Sequence, residues 1–150
     1  MIGKGAHSAV GTLVERTSRF TMLVPLPDGR SAEACRTAVA ATITTLPHAL
    51  RKSLTWDQGT EMAQHLQFTV DTGVRVYFAH HRSPWERGTN ENTNGLLRQY
   101  MPRTEPAPSD AATHISIAAL LNGRPRRTLG WRTPAEAFGQ LMDVSVAPTP

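Results

Sequence analysis

At 150 residues, with 39% hydrophobic side chains, the chain has room for one domain with a proper core and none for a second domain of useful size. Sixteen Lys and Arg stand against twelve Asp and Glu, a net charge of +4, and arginines recur in the second half at positions 82, 87, 98, 103, 124, 126, 127 and 132. A polyanionic partner is favoured, nucleic acid ahead of membrane, because there is no long apolar run and no basic amphipathic anchor. The single cysteine, Cys35, excludes an internal disulfide and a multi-thiolate zinc site, and the N-terminus carries no apolar run of signal-peptide length, so a reducing cytoplasm is the expected home.

In chain order, Ala9 to Glu15 and Phe20 to Leu26 read as β-runs joined by the polar turn "RTSR", an antiparallel hairpin. "GRSAEACRTAVAATITTLP" follows as an Ala-rich helix, with Ser31 as N-cap, Glu33 in the first turn and Pro47 past the end. "SLTWD" is a short strand closing on an acid; "QGT" turns into a helical "EMAQHLQFTVDT" stopped by Gly73. "VRVYFA" is a further strand, and "HHRSPWERG" a loop punctuated by Pro84 and Gly88, after which a helix carrying Glu91 begins. "PRTEPAPSD" is a linker, "AATHISIAALLN" a helix ending near Gly123, and "TPAEAFGQLM" a last helix, its start marked by Thr133 as N-cap, Pro134 at N1 and Glu136 as the capping-box acid. The order of elements implies a layered α/β domain, in which sites gather at strand ends.

The helix around Glu91 has two chemically different faces. At about 100° per residue, Glu91, Asn94, Gly95 and Arg98 share one side, while Thr93, Leu96, Leu97 and Tyr100 share the other. The plain reading of the polar side is a solvated surface, but such surfaces use good helix formers, and this one carries Asn90, Asn92, Asn94 and Gly95, which are poor ones. Asp57 ends one strand, and Glu91 lies in the first turns of the helix that follows the next, so the two acids can converge at one edge of a sheet. Hard oxygen ligands from separate elements suit a Mg²⁺ site for phosphoryl chemistry.

"TWDQGTEM" and "SPWERGTNENTNGLLRQY", together with "GTLVERTSRF" and "LNGRPRRTLGWRTPAEAF", resemble the DDE transposases of the insertion sequence thirty family, across nearly the whole chain. The resemblance implies a ribonuclease H-like fold, a mixed sheet flanked by helices, with an integrase-type core over residues 1–143 and a tail over 144–150. It implies two-metal phosphoryl transfer that cleaves a mobile element's DNA ends and joins them to target DNA, with Mg²⁺ or Mn²⁺ held by Asp57 and Glu91 as catalytic acids. Arg87, Asn90, Asn94 and Arg98 would contact DNA. A homo-oligomer acting on the nucleoid in the cytoplasm, with no membrane partner, follows from the same resemblance.

The chain departs from the family pattern in places. The first of three acids is expected a few residues ahead of "IGKG", where Met1 stands, so the first strand reads as truncated or missing and this chain alone is expected to be inactive. Glu15 and Asp28 are poorly placed to substitute. His80 and His81 invite a metal reading that adjacent side chains on an extended loop serve badly. Trp56, Trp85 and Trp131 could stack on bases, although core packing suits Trp56 better. Two rivals stay open: a non-catalytic DNA-binding or dimerising remnant, and a ribonuclease H-type nuclease.

Overall fold

The computed structural model describes residues 9–57, 60–80, 84–102, 108 and 110–146, with the side chains of 84–87, 145 and 146 excluded. β1 (Ala9–Val14) and β2 (Thr21–Leu26) pair antiparallel in the register Ala9 opposite Leu26 and Val14 opposite Thr21. The turn between them is tied by Glu15, whose carboxylate accepts from the Thr17 and Ser18 N–H groups at 3.0 and 2.6 Å and from the Ser18 hydroxyl at 2.6 Å. Burial raises the Glu15 pKa, but these hydrogen bonds outweigh it and the net shift is downward. Glu15 is therefore a turn-building carboxylate.

α1 (Ala32–Thr44) begins as expected, with the Ser31 hydroxyl accepting from the Ala34 N–H at 3.1 Å. β3 (Ser53–Trp56) and β4 (Arg75–Phe78) pair in parallel, Leu54 opposite Val76. Between them the expected single helix is split. Thr60–Met62 is a 3₁₀ turn anchored by buried Met62, and α2 (His65–Thr72) follows, stopped by Gly73 at φ 72°.

Among the described residues the two strand pairs form separate two-stranded sheets, one antiparallel and one parallel. The position where the family resemblance puts a further strand, at and ahead of residues 2–5, lies outside the described residues. α1 serves both sheets. Cys35, Val39 and Ile43 share one core with Ala9, Leu13, Val24 and Leu26 of the hairpin and with Phe68 and Val74, against which Leu54, Trp56 and Val76 pack. The period-2 alternation of the hairpin turns Val10 and Leu23 to its other face, where they meet Leu97, Met101, Ile117 and Leu121.

That second layer is built by α3 (Pro84–Leu97) and α4 (Ala111–Asn122). α3 starts earlier than expected: residues 84–88, the later part of the segment read from sequence as loop, form its beginning. Proline is well tolerated at the first helical position, and an interior glycine costs only about 1 kcal/mol, so punctuation residues do not by themselves exclude a helix. α4 is capped by Asp110, whose carboxylate accepts from the Thr113 N–H at 2.7 Å. Its last residue, Asn122, is buried and bonds across 101 positions, donating to the Thr21 carbonyl at 2.9 Å and accepting from the Thr21 N–H at 2.8 Å.

α5 (Pro134–Val146) opens on the expected capping box, with Glu136 N–H donating to the Thr133 hydroxyl at 3.1 Å and Thr133 N–H donating to the Glu136 carboxylate at 2.8 Å. Phe138 of α5 stacks on Phe20 with ring centroids 4.3 Å apart, fixing α5 to the hairpin turn. No helix among the described residues is long and apolar enough to cross a membrane.

Candidate nucleic-acid interface and carboxylate pair

Asp57 stands directly after β3 and is exposed. The strand is short but well anchored, because Leu54 and Trp56 pack into the core around α1 and the Ala79 N–H donates to the Trp56 carbonyl at 2.8 Å. A carboxylate at the carboxyl end of parallel strands is where α/β sheets place ligands. Four residues on, in the 3₁₀ turn, stands Glu61. Burial first, then the nearby Glu61 and Asp57 carboxylates, push the Cys35 thiol above its ordinary value. The 3₁₀ turn that carries Glu61 packs against α1. Sequence reasoning passed over Glu61, although it stands inside the quoted "TWDQGTEM".

Glu91 is exposed on α3, as are Asn90 and Asn92. The packing side of the helix is the expected one: Thr93 and Leu97 are buried, and Leu96 and Tyr100 pack against the second core. The hydroxyl of Thr93 donates to the Thr89 carbonyl at 2.9 Å, and Arg19, held at φ 62° in the hairpin turn, donates to the Thr89 hydroxyl, so the turn steadies α3. Arg98 follows the last helical residue, half-buried, its N–H donating to the Asn94 carbonyl at 3.2 Å. Asn94 departs from a simple presenting role. It is half-buried, and its side-chain oxygen is buried with no hydrogen-bond partner. Arg87 belongs to α3, but its side chain falls outside the described residues, as do Trp85, Gln58 and His81.

The glycines of α3 add a feature that pattern reading did not reach. A Cβ built on Gly88 or on Gly95 meets nothing within 4 Å, so no contact among the described residues requires glycine at either position. Two turns apart on one helix, Gly88 and Gly95 lie on the same side, with Glu91 and Asn92 between them. A helix that gives up about 1 kcal/mol at each glycine without an internal reason leaves room for close approach from outside.

Among the described residues no group of three or more His, Cys, Asp and Glu is arranged to hold a metal ion. His80 is exposed and belongs to no such group. The acids at hand are hard oxygen donors of the kind Mg²⁺ and Mn²⁺ prefer, and Asp57 and Glu91 are both open to solvent, so the donor set fits such an ion in kind.

The sequence model of the integrase core domain matches residues 1–84. The chain belongs to the integrase core domain family. It is 48% identical over 141 residues to the transposase for insertion sequence element IS1086 of Cupriavidus metallidurans, covering 93% of this chain and 41% of that protein. The transposase InsI for IS30A of Escherichia coli K12 is 50% identical over 131 residues, 87% of this chain and 34% of its own length. The transposase for IS4351 of Bacteroides fragilis is 34% identical over 146 residues, covering 95% of this chain and 44% of that protein. The chain thus spans less than half the length of these relatives. The integrase core is a ribonuclease H-like fold that works with divalent metals, and the sheets and flanking helices described above match that class. Asp57 lies within the matched segment and Glu91 beyond it.

Proposed function

We propose that this chain is the catalytic-core portion of a DDE transposase, acting on the DNA ends of a mobile element and on target DNA. The observation that carries the reading is the outward face of α3, where Glu91, Asn90 and Asn92 are exposed between two glycines that no contact among the described residues explains. Polyanion binding is further supported by the net charge of +4.

In this reading Asp57, fixed by a strand end, and Glu91, fixed by α3, are the two acids that hold Mg²⁺ or Mn²⁺. When bound, the cation supplies charge stabilisation at the phosphate under attack. Arg98 and Arg87 neutralise backbone phosphates. Asn90 and Asn94 supply short amides that both donate and accept, suited to phosphate oxygens and base edges, and Asn94 brings a buried oxygen still lacking a partner. The glycines let the DNA backbone come close to the helix axis. We further propose that residues 1–143 form the core and 144–150 a tail, that copies of the chain assemble on DNA, and that the setting is the cytoplasm, on the nucleoid.

With two of three acids assigned, the chain by itself is expected to bind DNA without cutting or joining it. Binding should be weak, indifferent to sequence and strongly salt-dependent. The test is an anisotropy titration of labelled duplexes, an element end and a scrambled control, between about 50 and 200 mM salt. Equal affinities that fall steeply with salt support the reading. Tight binding to one sequence at the higher salt overturns it. The rival reading, a DNA-binding remnant, is separated by extending the chain with an upstream strand that supplies an Asp and assaying strand transfer with Mn²⁺: transfer that Glu91→Gln abolishes excludes the remnant.

A further inference from the structure

The segment between α4 and α5, "RPRRTLGWR" from Arg124 to Arg132, has no role in the site above. At its tip Trp131 leaves 71% of its surface exposed, more than any other aromatic residue described. Its backbone sits at φ 67°, in the left-handed region that bulky side chains enter only under constraint.

The loop supplies that constraint. The Trp131 N–H donates to the Arg126 carbonyl at 3.0 Å while the Arg126 N–H donates to the Arg132 carbonyl at 3.0 Å, closing the loop on itself. The Gly130 N–H donates to the Arg127 carbonyl at 3.1 Å, Leu129 is buried beneath, and Gly130 takes φ 62°. The buried Pro134 and the α5 capping box hold the downstream side. The indole is therefore displayed from a rigid platform, with its χ angles as the main remaining freedom.

Four arginines stand in this loop. Arg124, Arg127 and Arg132 are exposed, and Arg126 is half-buried. Burial first, then the neighbouring Arg124, lower the Arg126 guanidinium from its usual value. Arg124 lies over the Tyr100 ring, 5.4 Å from its centroid, and donates to the Gln99 amide oxygen at 3.3 Å, which orients it. Arg132 donates to the Gln140 amide oxygen. The acid beside this loop, Glu136, is engaged in capping α5.

We propose that this loop is a second nucleic-acid contact that grips an unpaired nucleotide, with the Trp131 indole stacked on the base and Arg127 and Arg132 on the flanking phosphates. Guanidiniums alone suffice for a duplex backbone. A flat, exposed indole adds affinity only where a base face is open, as it is in a single strand, a frayed end or an extruded base. A protein partner would call for an apolar surround, and the chain neighbours of Trp131 are Gly130 and Arg132, in a loop with three further arginines. The inference rests on the nucleic-acid reading above but not on the α3 face.

The experiment compares a labelled single strand of about 16 nucleotides with the duplex of the same sequence, by anisotropy at fixed low salt, for the chain and for Trp131→Ala, Trp131→Phe, Arg127→Ala and Arg98→Ala. Trp131→Ala should weaken single-strand binding about tenfold and change duplex binding by less than about twofold, and Trp131→Phe should restore most of the loss. Arg127→Ala and Arg98→Ala should weaken both. An unchanged melting temperature of Trp131→Ala certifies the fold. If the unaltered chain binds neither ligand, this proposal and the proposed function fall together. If it binds both and Trp131→Ala leaves their ratio unchanged, this proposal alone falls. A Trp131→Ala variant that binds DNA normally but loses self-association in sedimentation would assign the indole to a protein interface and overturn the proposal.

Discussion

On one face of the β1–β2 hairpin, Leu13, Val24 and Leu26 meet α1 in a mostly apolar layer, whose buried hydroxyl, that of Thr72, bonds only locally to the Phe68 carbonyl and the Val74 N–H. On the other face, Val10 and Leu23 meet α3 and α4, helices that also bury Thr93, His114 and Asn122. The contrast separates two tasks. Apolar burial is strong but indifferent to direction, so the α1 layer contributes stability and tolerates small shifts. Hydrogen bonds to strand backbone are directional, so the Asn122 side chain, bonded to both sides of the Thr21 residue, fixes where α4 sits on β2, and α3 packs beside it. The helix that carries Glu91 is thus placed by the polar layer, where position matters more than bulk.

The largest effect should come from the apolar layer. Phe68 is fully buried, and Phe68→Ala should cost about 3–5 kcal/mol in denaturant unfolding. Asn122→Leu comes next, at about 2–3 kcal/mol, because it leaves the Thr21 N–H and carbonyl buried without their partner. The comparison breaks if Asn122→Leu matches the unaltered chain in stability, since the bonds would then place nothing.

Asn122 also marks where sequence reading stops. At the end of "AATHISIAALLN" an asparagine reads as a helix end, and nothing local reveals a bond to a strand 101 residues earlier. What was legible depended on neighbours in sequence: the Ser31 cap, the Thr133–Glu136 capping box, the stop at Gly73, the hairpin and the packing side of α3. What was not legible depended on competition between local signals or on space. Pro84 and Gly88 looked like loop punctuation because each disfavours helix interiors, yet one heads a helix and the other is carried by it. Glu61 and the open space over Gly88 and Gly95 required coordinates, because neither a carboxylate's neighbours nor a glycine's clearance is written in residue order.

His114 extends the comparison to pH. Burial lowers its pKa, with Asp110 opposing weakly, and both ring nitrogens are buried without hydrogen-bond partners. A folded-state pKa below the unfolded value near 6.5 means that unfolding takes up a proton, so this contribution is intact above about pH 6.5 and is lost as pH falls toward the lowered value. Stability measured between pH 8 and 5 (about that range) should fall by no more than about 1.4 kcal/mol per pH unit from this group, the limit for one proton. His114→Leu should remove that slope, and an unchanged slope would place the titration elsewhere.

Gly95→Ala should give the smallest change in stability and the most telling one in function. It should stabilise α3 by about 0.5–1 kcal/mol, since the added methyl meets nothing among the described residues. DNA affinity should fall at the same time. A variant that gains stability and keeps its affinity would remove close approach from the α3 face.

Whether Asp57 and Glu91 share one divalent ion is decided most directly by titrating the chain with Mn²⁺ and following the free-ion signal by electron paramagnetic resonance. The unaltered chain should take up Mn²⁺ weakly, and Asp57→Asn and Glu91→Gln, each folded by circular dichroism, should both lose that uptake, because a neutral amide is a poor ligand for a hard cation. Wild-type uptake retained by either variant would contradict a shared site.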